Sequence, residues 1–277
     1  MFYLGLAILT SSMNGILFRL SEDHVKNRFS MLAFNYLLCL VLALVYSAGS
    51  LPQDLWGSAS TWGLGLVNGI LFLGGFVMMQ YCTREHGVVL TSVFSRLGVL
   101  VPTLLAVTVF KEKMSLIQFA GISLAVCAIL LMNWKKGIGL KGMAPALILL
   151  LLVAGCCDGM AKIYEQWGQA DLSQYYLVIS FLVALVLNVV LVIIKKEKID
   201  RYDVLFGLLI GIPNYFVARF LLKAVGLIPA VIVYPCFSVG TILVCTLAGV
   251  LLFHEKIEKK QAVAIGVILL SMVLLNI

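Results

Sequence analysis

Charge is scarce in this sequence. Only 12% of its 277 residues are Asp, Glu, Lys or Arg, against about 25% in a soluble domain, so a water-covered globular surface is excluded. Long polar stretches are missing too, which leaves no room for a separate soluble domain. The seven cysteines contain no CxxC spacing and lie in apolar segments, where they read as small packing residues rather than as a disulfide framework or a metal site. His24, His86 and His254 fall in separate breaks, and the stretch beginning His254-Glu255 has no second His at the zinc-binding spacing. Neither a P-loop nor an Asp-rich magnesium motif occurs, so metal hydrolysis, diphosphate chemistry and ATP-driven pumping find no support. No cofactor and no metal are expected.

What the chain has instead is apolarity. Hydrophobic residues make up 62% of it, in runs near the length of about 20 that a spanning helix needs. The runs lie near 2–20, 29–48, 62–82, 87–109, 115–134, 143–166, 172–194, 203–224, 229–253 and 259–277. The first has no basic residue before it and no small-residue cleavage pattern after it, so it reads as a retained helix. The net charge of +7 comes from residues in the breaks, which topology explains without nucleic acid. Fourteen Lys and Arg occupy the breaks near 19–28, 84–86, 135–141, 195–203 and 254–260, whereas the alternate breaks hold Lys111, Lys113 and Lys223. By the positive-inside rule the rich set is cytoplasmic and both termini are extracytoplasmic.

The chain also repeats itself. A shift of 143 residues lays Val88 on Val231, Phe94-Ser95 on Phe237-Ser238, Phe110 on Phe253, Glu112-Lys113 on Glu255-Lys256, Gln118 on Gln261 and Asn133 on Asn276. Apolar coincidences are cheap in such a chain, but Glu-Lys, Gln and Asn at one offset are not. A shift of 144 places Asn14-Gly15 on Asp158-Gly159. The expected architecture is an all-α integral membrane protein of ten transmembrane helices, with five-helix halves at 1–137 and 138–277. Five is odd, so the second half enters the membrane from the opposite side and the repeats are inverted. Such halves can exchange two packings and open a midplane site to each side in turn.

The stretch from Phe110 to Asn133, and its echo from Phe253 to Asn276, resembles the end of an EamA-type repeat of the drug/metabolite transporter superfamily. The resembling features are a Glu in the hairpin before the last helix of each half, a Gln six residues later, and small residues at helical spacing. The resemblance implies a secondary carrier with a central cavity lined mainly by the first, third, fourth, sixth, eighth and ninth helices, and it leans toward export.

Ionisable side chains inside a span are costly, by about 2.5–3.5 kcal/mol each on insertion scales. Four qualify: Arg96, Asp158, Lys162 and Arg219. Asp158 and Arg219 come out at similar depth and can pair. Lys162 lies near the outer interface, where it can snorkel, or it can pair with Asp158 four residues back on the same helical face. The functional alternative makes Asp158 a coupling carboxylate that exchanges a proton for a cationic group, with Lys162 beside it. Three cations against one carboxylate, unless Glu165 also turns inward, leave a surplus of positive charge. Arg96, Arg219 or both are therefore expected to contact a substrate carboxylate or phosphate, the rival being backbone carbonyls freed near Pro102 and Pro213. Asn14, Asn68, Ser92, Ser95, Asn214, Tyr215, Tyr234 and Ser238 supply polar groups around them. Any one of these can instead bond a neighbouring helix.

The expected function is a secondary active transporter of small organic metabolites in the cell membrane. A proton-coupled exporter of organic cations using Asp158 is the alternative, with an integral membrane enzyme or a channel as readings from other classes. The expected partners are a small-molecule substrate, the lipid bilayer and, as candidate coupling ion, the proton. Monomer and homodimer both remain open.

Overall fold

The computed structural model describes residues 1–22, 24–47, 58–133, 145–196, 198–253 and 259–275. Within the helices it gives no side-chain account of 87–90, 92–93, 132–133, 253 and 259–261. Ser92, the Gln261 side chain, Glu255-Lys256 and Asn276 therefore lie outside what is described. Among the described residues all regular structure is helical: α1 Phe2–Ser21, α2 Arg28–Ser47, α3 Ala59–Leu97, α4 Leu100–Thr108, α5 Leu116–Asn133, α6 Pro145–Trp167, α7 Ser173–Lys195, α8 Arg201–Val225, α9 Ala230–Phe253 and α10 Lys259–Leu275, with a short 3₁₀ turn at Ala170–Leu172. Helices satisfy every peptide group internally, which the interior of a bilayer demands. Seven segments among the described residues are long and apolar enough to cross a membrane, and Phe94–Thr108, Leu116–Leu131 and Ala262–Leu275 are shorter apolar helices.

One boundary differs from the sequence reading. The break expected near 84–86 is helical, and the chain leaves the helix only at Gly98-Val99. Polar residues do not by themselves end a helix. Gly98 sits against the backbone of α6, 3.0 Å from the Gly155 nitrogen at its would-be Cβ, and that close approach coincides with the break. Pro213 and Pro235 lie inside α8 and α9 without ending them. Pro102 falls in the first turn of α4, where its missing N–H costs nothing.

The chain divides into two compact units, each drawn from both ends of the sequence. The first comprises Met1–Leu73 and Ile163–Ala224, and the second Gly74–Lys162 and Val225–Ile277.

In the first unit α2 packs along α7, and two glycine pairs set the closest approaches. A Cβ on Gly65 would stand 2.8 Å from Ile179 Cγ2, and one on Gly69 would stand 2.6 Å from the Ser180 carbonyl. On α8, a Cβ on Gly207 would run into the Met31 carbonyl of α2, and one on Gly211 would stand 2.9 Å from Leu38 Cβ. This is the small-xxx-small spacing that lets helix backbones meet. The two contacts correspond: Gly207 and Gly211 follow Gly65 and Gly69 by 142 residues, while Tyr176, Ile179, Ser180 and Val183 follow Met31, Phe34, Asn35 and Leu38 by 145. Contact numbers rise together along both helices of each pair, so α3 runs parallel to α7 and α2 parallel to α8.

One end of this unit is tied by a buried carboxylate. Asp203 accepts the N–H of Asp200 at 3.0 Å with one oxygen, and those of Lys26 and Asn27 at 3.2 and 3.3 Å with the other. Asp200 in turn accepts the Tyr202 N–H at 3.2 Å, completing a reciprocal cap on α8. Lys26 Nζ reaches Asp200 at 2.8 Å. That hydrogen bond holds the Asp200 carboxyl below its ordinary range and lifts Lys26 above its own. The depressed Asp200 makes the pair a neutral-pH interaction, lost as pH falls through the carboxylate range.

In the second unit α5 packs along α10 and α4 against α9. Ser271 donates to the Gly121 carbonyl at 2.8 Å across the first of these pairs. Gly155 of α6 meets the Gly98 carbonyl, and Gly159 approaches Pro102, with 3.4 Å between a would-be Cβ and the ring. Here too the numbers rise together, so α4 and α6 are parallel.

Candidate substrate site

Each unit carries a polar cluster inside apolar helices. In the first, Arg219 of α8 lies with its guanidinium carbon 3.9 Å from the centre of the Tyr46 ring. Its Nη1 donates to the Tyr215 hydroxyl at 3.2 Å. That hydroxyl donates onward to Gln174 Oε1 at 3.2 Å, and the Tyr46 and Tyr215 rings stack with centroids 5.8 Å apart. Tyr215 is fully buried. Arg219 is thus clamped on one face by an aromatic ring and at one corner by a phenol. It meets no carboxylate among the described residues, and most of its N–H donors stay unused.

Three asparagines meet a little deeper. Asn214 Nδ2 donates to Asn35 Oδ1 at 2.9 Å, and Asn14 Nδ2 donates to Asn214 Oδ1 at 3.4 Å. Cys39 Sγ bonds Asn35 Oδ1 and the Gly211 carbonyl, both at 3.3 Å. Asn14 Oδ1 is buried without a partner. Asn68 donates to Ser180 Oγ at 3.1 Å and leaves its own Oδ1 buried and unmatched.

The second unit corrects the charge pairing read from the sequence. Lys162 Nζ lies 3.0 Å from Glu112 Oε1, with side-chain exposures of 7% and 13%. It therefore neither snorkels to solvent nor turns back onto Asp158. Glu112 stands in the hairpin between α4 and α5, beside Lys111 at φ 53, and its backbone N–H bonds the Ala106 carbonyl at 2.9 Å. Glu112 Oε2 accepts the Val231 N–H at 3.1 Å, in the first turn of α9, where a carboxylate is favoured. The Lys162 N–H donates to the Tyr234 hydroxyl at 3.2 Å.

Asp158, half-buried on α6, makes no hydrogen bond or ion pair among the described residues. The glycine contacts place Asp158 level with residue 101 of α4, and Arg96 lies before the break, in the last turn of α3. Ser95 is half-buried and Ser238 buried in the same unit. Asp158 and Arg219 belong to different units, and the partners of Arg219 are Tyr46 and Tyr215 instead of a carboxylate.

Glu112, Tyr46, Gln174 and Asn35 are the polar partners that sequence reasoning missed. Glu112 was visible as half of the repeated Glu-Lys, but its neighbours were not. With Glu112 paired to Lys162, Arg96 and Arg219 are the embedded cations that meet no carboxylate among the described residues.

Comparison with known proteins places this geometry in a family. The model of the EamA-like transporter family matches residues 1–134 and 145–277. An uncharacterized protein of Haemophilus influenzae is 25% identical over 268 residues, covering 91% of this chain and 90% of its own. One crystal structure aligns with a TM-score of 0.77 at 13% identity, over 99% of this chain and 97% of that one, a likeness of fold alone.

Proposed function

The chain belongs to the EamA-like transporter family, within the drug/metabolite transporter superfamily, and on that premise we propose that it is a secondary active transporter of small organic metabolites working by alternating access, with export the favoured direction. Its halves, 1–137 and 138–277, act as inverted five-helix repeats of a ten-span carrier in the cell membrane. The matching glycine contacts of α3 with α7 and of α8 with α2 support that reading. So do the parallel pairs α2/α8 and α3/α7, the directions expected when successive spans alternate. The Lys and Arg bias puts both termini outside. A monomer contains both halves and suffices, though a homodimer is compatible.

The observation that carries the substrate reading is Arg219, an embedded guanidinium held by Tyr46 and Tyr215 that meets no carboxylate among the described residues. A carboxylate or phosphate is the group its planar donor edge suits. Asn14, Asn68 and Asn214 of the same unit offer further polar groups. We expect small anions or zwitterions to raise the melting temperature of the purified protein, since a ligand bound only by the folded state adds about 2.7 kcal/mol at one hundred times its Kd. Arg219→Gln should lose that response. Stabilisation by organic cations that survives the substitution sinks the Arg219 reading.

A second reading is favoured by the open carboxylate of Asp158: a cation exporter that couples to protons through this residue. An Asp158→Asn carrier that keeps full pH-dependent accumulation would exclude it.

A further inference from the structure

Asp158 and Lys162 stand four residues apart on α6, the spacing at which an acid and a base on one helix ordinarily meet. They do not meet here. Glu112, from the hairpin between α4 and α5, takes the Lys162 ammonium at 3.0 Å and is itself anchored by the Val231 N–H at 3.1 Å. We propose that Glu112 is a positioning residue which holds Lys162 off Asp158 and so keeps the Asp158 carboxyl free for a proton or a cationic group. The inference rests on the second reading above, in which Asp158 is a working carboxylate.

The physical argument is one of competition. A buried ammonium must have a counter-charge, because leaving it alone costs several kcal/mol. Glu112 reaches it from a distant hairpin, while Asp158 and Glu165 flank it on its own helix at four and three residues. Glu112 prevails because its second oxygen is already fixed by the first turn of α9, so little side-chain freedom is lost when it takes the lysine. Remove that charge and Asp158, four residues back on the same helix, is spaced to take the ammonium, whereas Glu165, three residues on, already accepts from Gln166 at 2.7 Å. The Glu112→Gln variant keeps an acceptor for the Val231 N–H but no counter-charge, so its Lys162 swings to Asp158 and closes it.

The test uses the full-length protein in lipid and needs no substrate. Dicyclohexylcarbodiimide, a hydrophobic reagent that attacks protonated carboxyls in apolar surroundings, is the probe. Its adduct on Asp158 is counted by peptide mass spectrometry on the folded fraction. Wild type should label, and Asp158→Asn sets the blank. Glu112→Gln should label about tenfold less or lower still, the effect of bringing a cation against a carboxyl. The double variant Glu112→Gln/Lys162→Gln should regain wild-type labelling, since no lysine remains to capture Asp158.

Undiminished labelling in Glu112→Gln overturns the proposal. Loss in the single variant without recovery in the double also overturns it, because Glu112 would then be acting on structure alone. A wild type that does not label at Asp158 overturns the reading of Asp158 on which the proposal stands. That outcome is distinct from the other two.

Discussion

Alanine at Gly207 should destabilise the protein by about 3 kcal/mol, toward the upper end of what overpacking usually costs. The added Cβ runs into the Met31 carbonyl and stands 2.7 Å from Phe34 Cβ. A carbonyl oxygen cannot rotate aside as a side-chain tip can, so α2 has to retreat from α8 along its length. The retreat also opens the neighbouring Gly211 contact and lengthens the Asn214 to Asn35 hydrogen bond, now 2.9 Å. Gly266→Ala is the matched control, because nothing lies within 4 Å of its added carbon. Equal thermal or denaturant midpoints for the two variants would mean that α2 and α8 do not meet at Gly207.

Asp203→Ala is the second substitution expected to be costly. Asp203 is fully buried, and its two oxygens accept from Asp200, Lys26 and Asn27 at 3.0–3.3 Å. Each buried N–H left without an acceptor costs about 1–3 kcal/mol, and bonds to an ionised acceptor are the stronger kind. A loss of about 3 kcal/mol or more follows. Asp203→Asn keeps the acceptor oxygen but not the charge and should fall between. The connection from α1 to α2 should become more sensitive to protease in the alanine variant, since two of the lost bonds hold it at Lys26 and Asn27. A carrier with Asp203→Ala that melts at the wild-type temperature and resists protease equally would show that another group caps this end of α8.

Much of the architecture could be read before any fold was known, and the reason is the solvent. A bilayer imposes length and apolarity on each spanning element separately, so runs such as 172–194 declare themselves locally, and α7 occupies Ser173–Lys195. Where the signal weakens, so did the reading. The polar residues from 84 to 86 look like a break, yet helical hydrogen bonds pass through them, and the helix ends at Gly98. A glycine contact with α6 marks that point, which no local pattern announces.

The candidate site was legible in its parts but not in its pairings. Arg96, Asp158, Lys162 and Arg219 stand out because a charge in an apolar run is costly wherever it points. Spacing alone suggested Asp158 with Lys162, because the local rule sees only one helix. The partner of Lys162 is Glu112, fifty residues earlier in the chain. Tyr46 and Gln174, which frame Arg219 and Tyr215, come from two other helices.

The sequence by itself thus determined that the protein lives in a membrane, where most of its helices fall, which family it resembles and which embedded charges require a reason. Only the tertiary structure decided which of those charges are closed and which are open. The physical reason is that an apolar helix can take nearly any rotation and depth in lipid at similar cost. Its partners are settled by long-range contacts, such as Gly207 on Met31 and Glu112 on Val231, that bring distant backbones within reach.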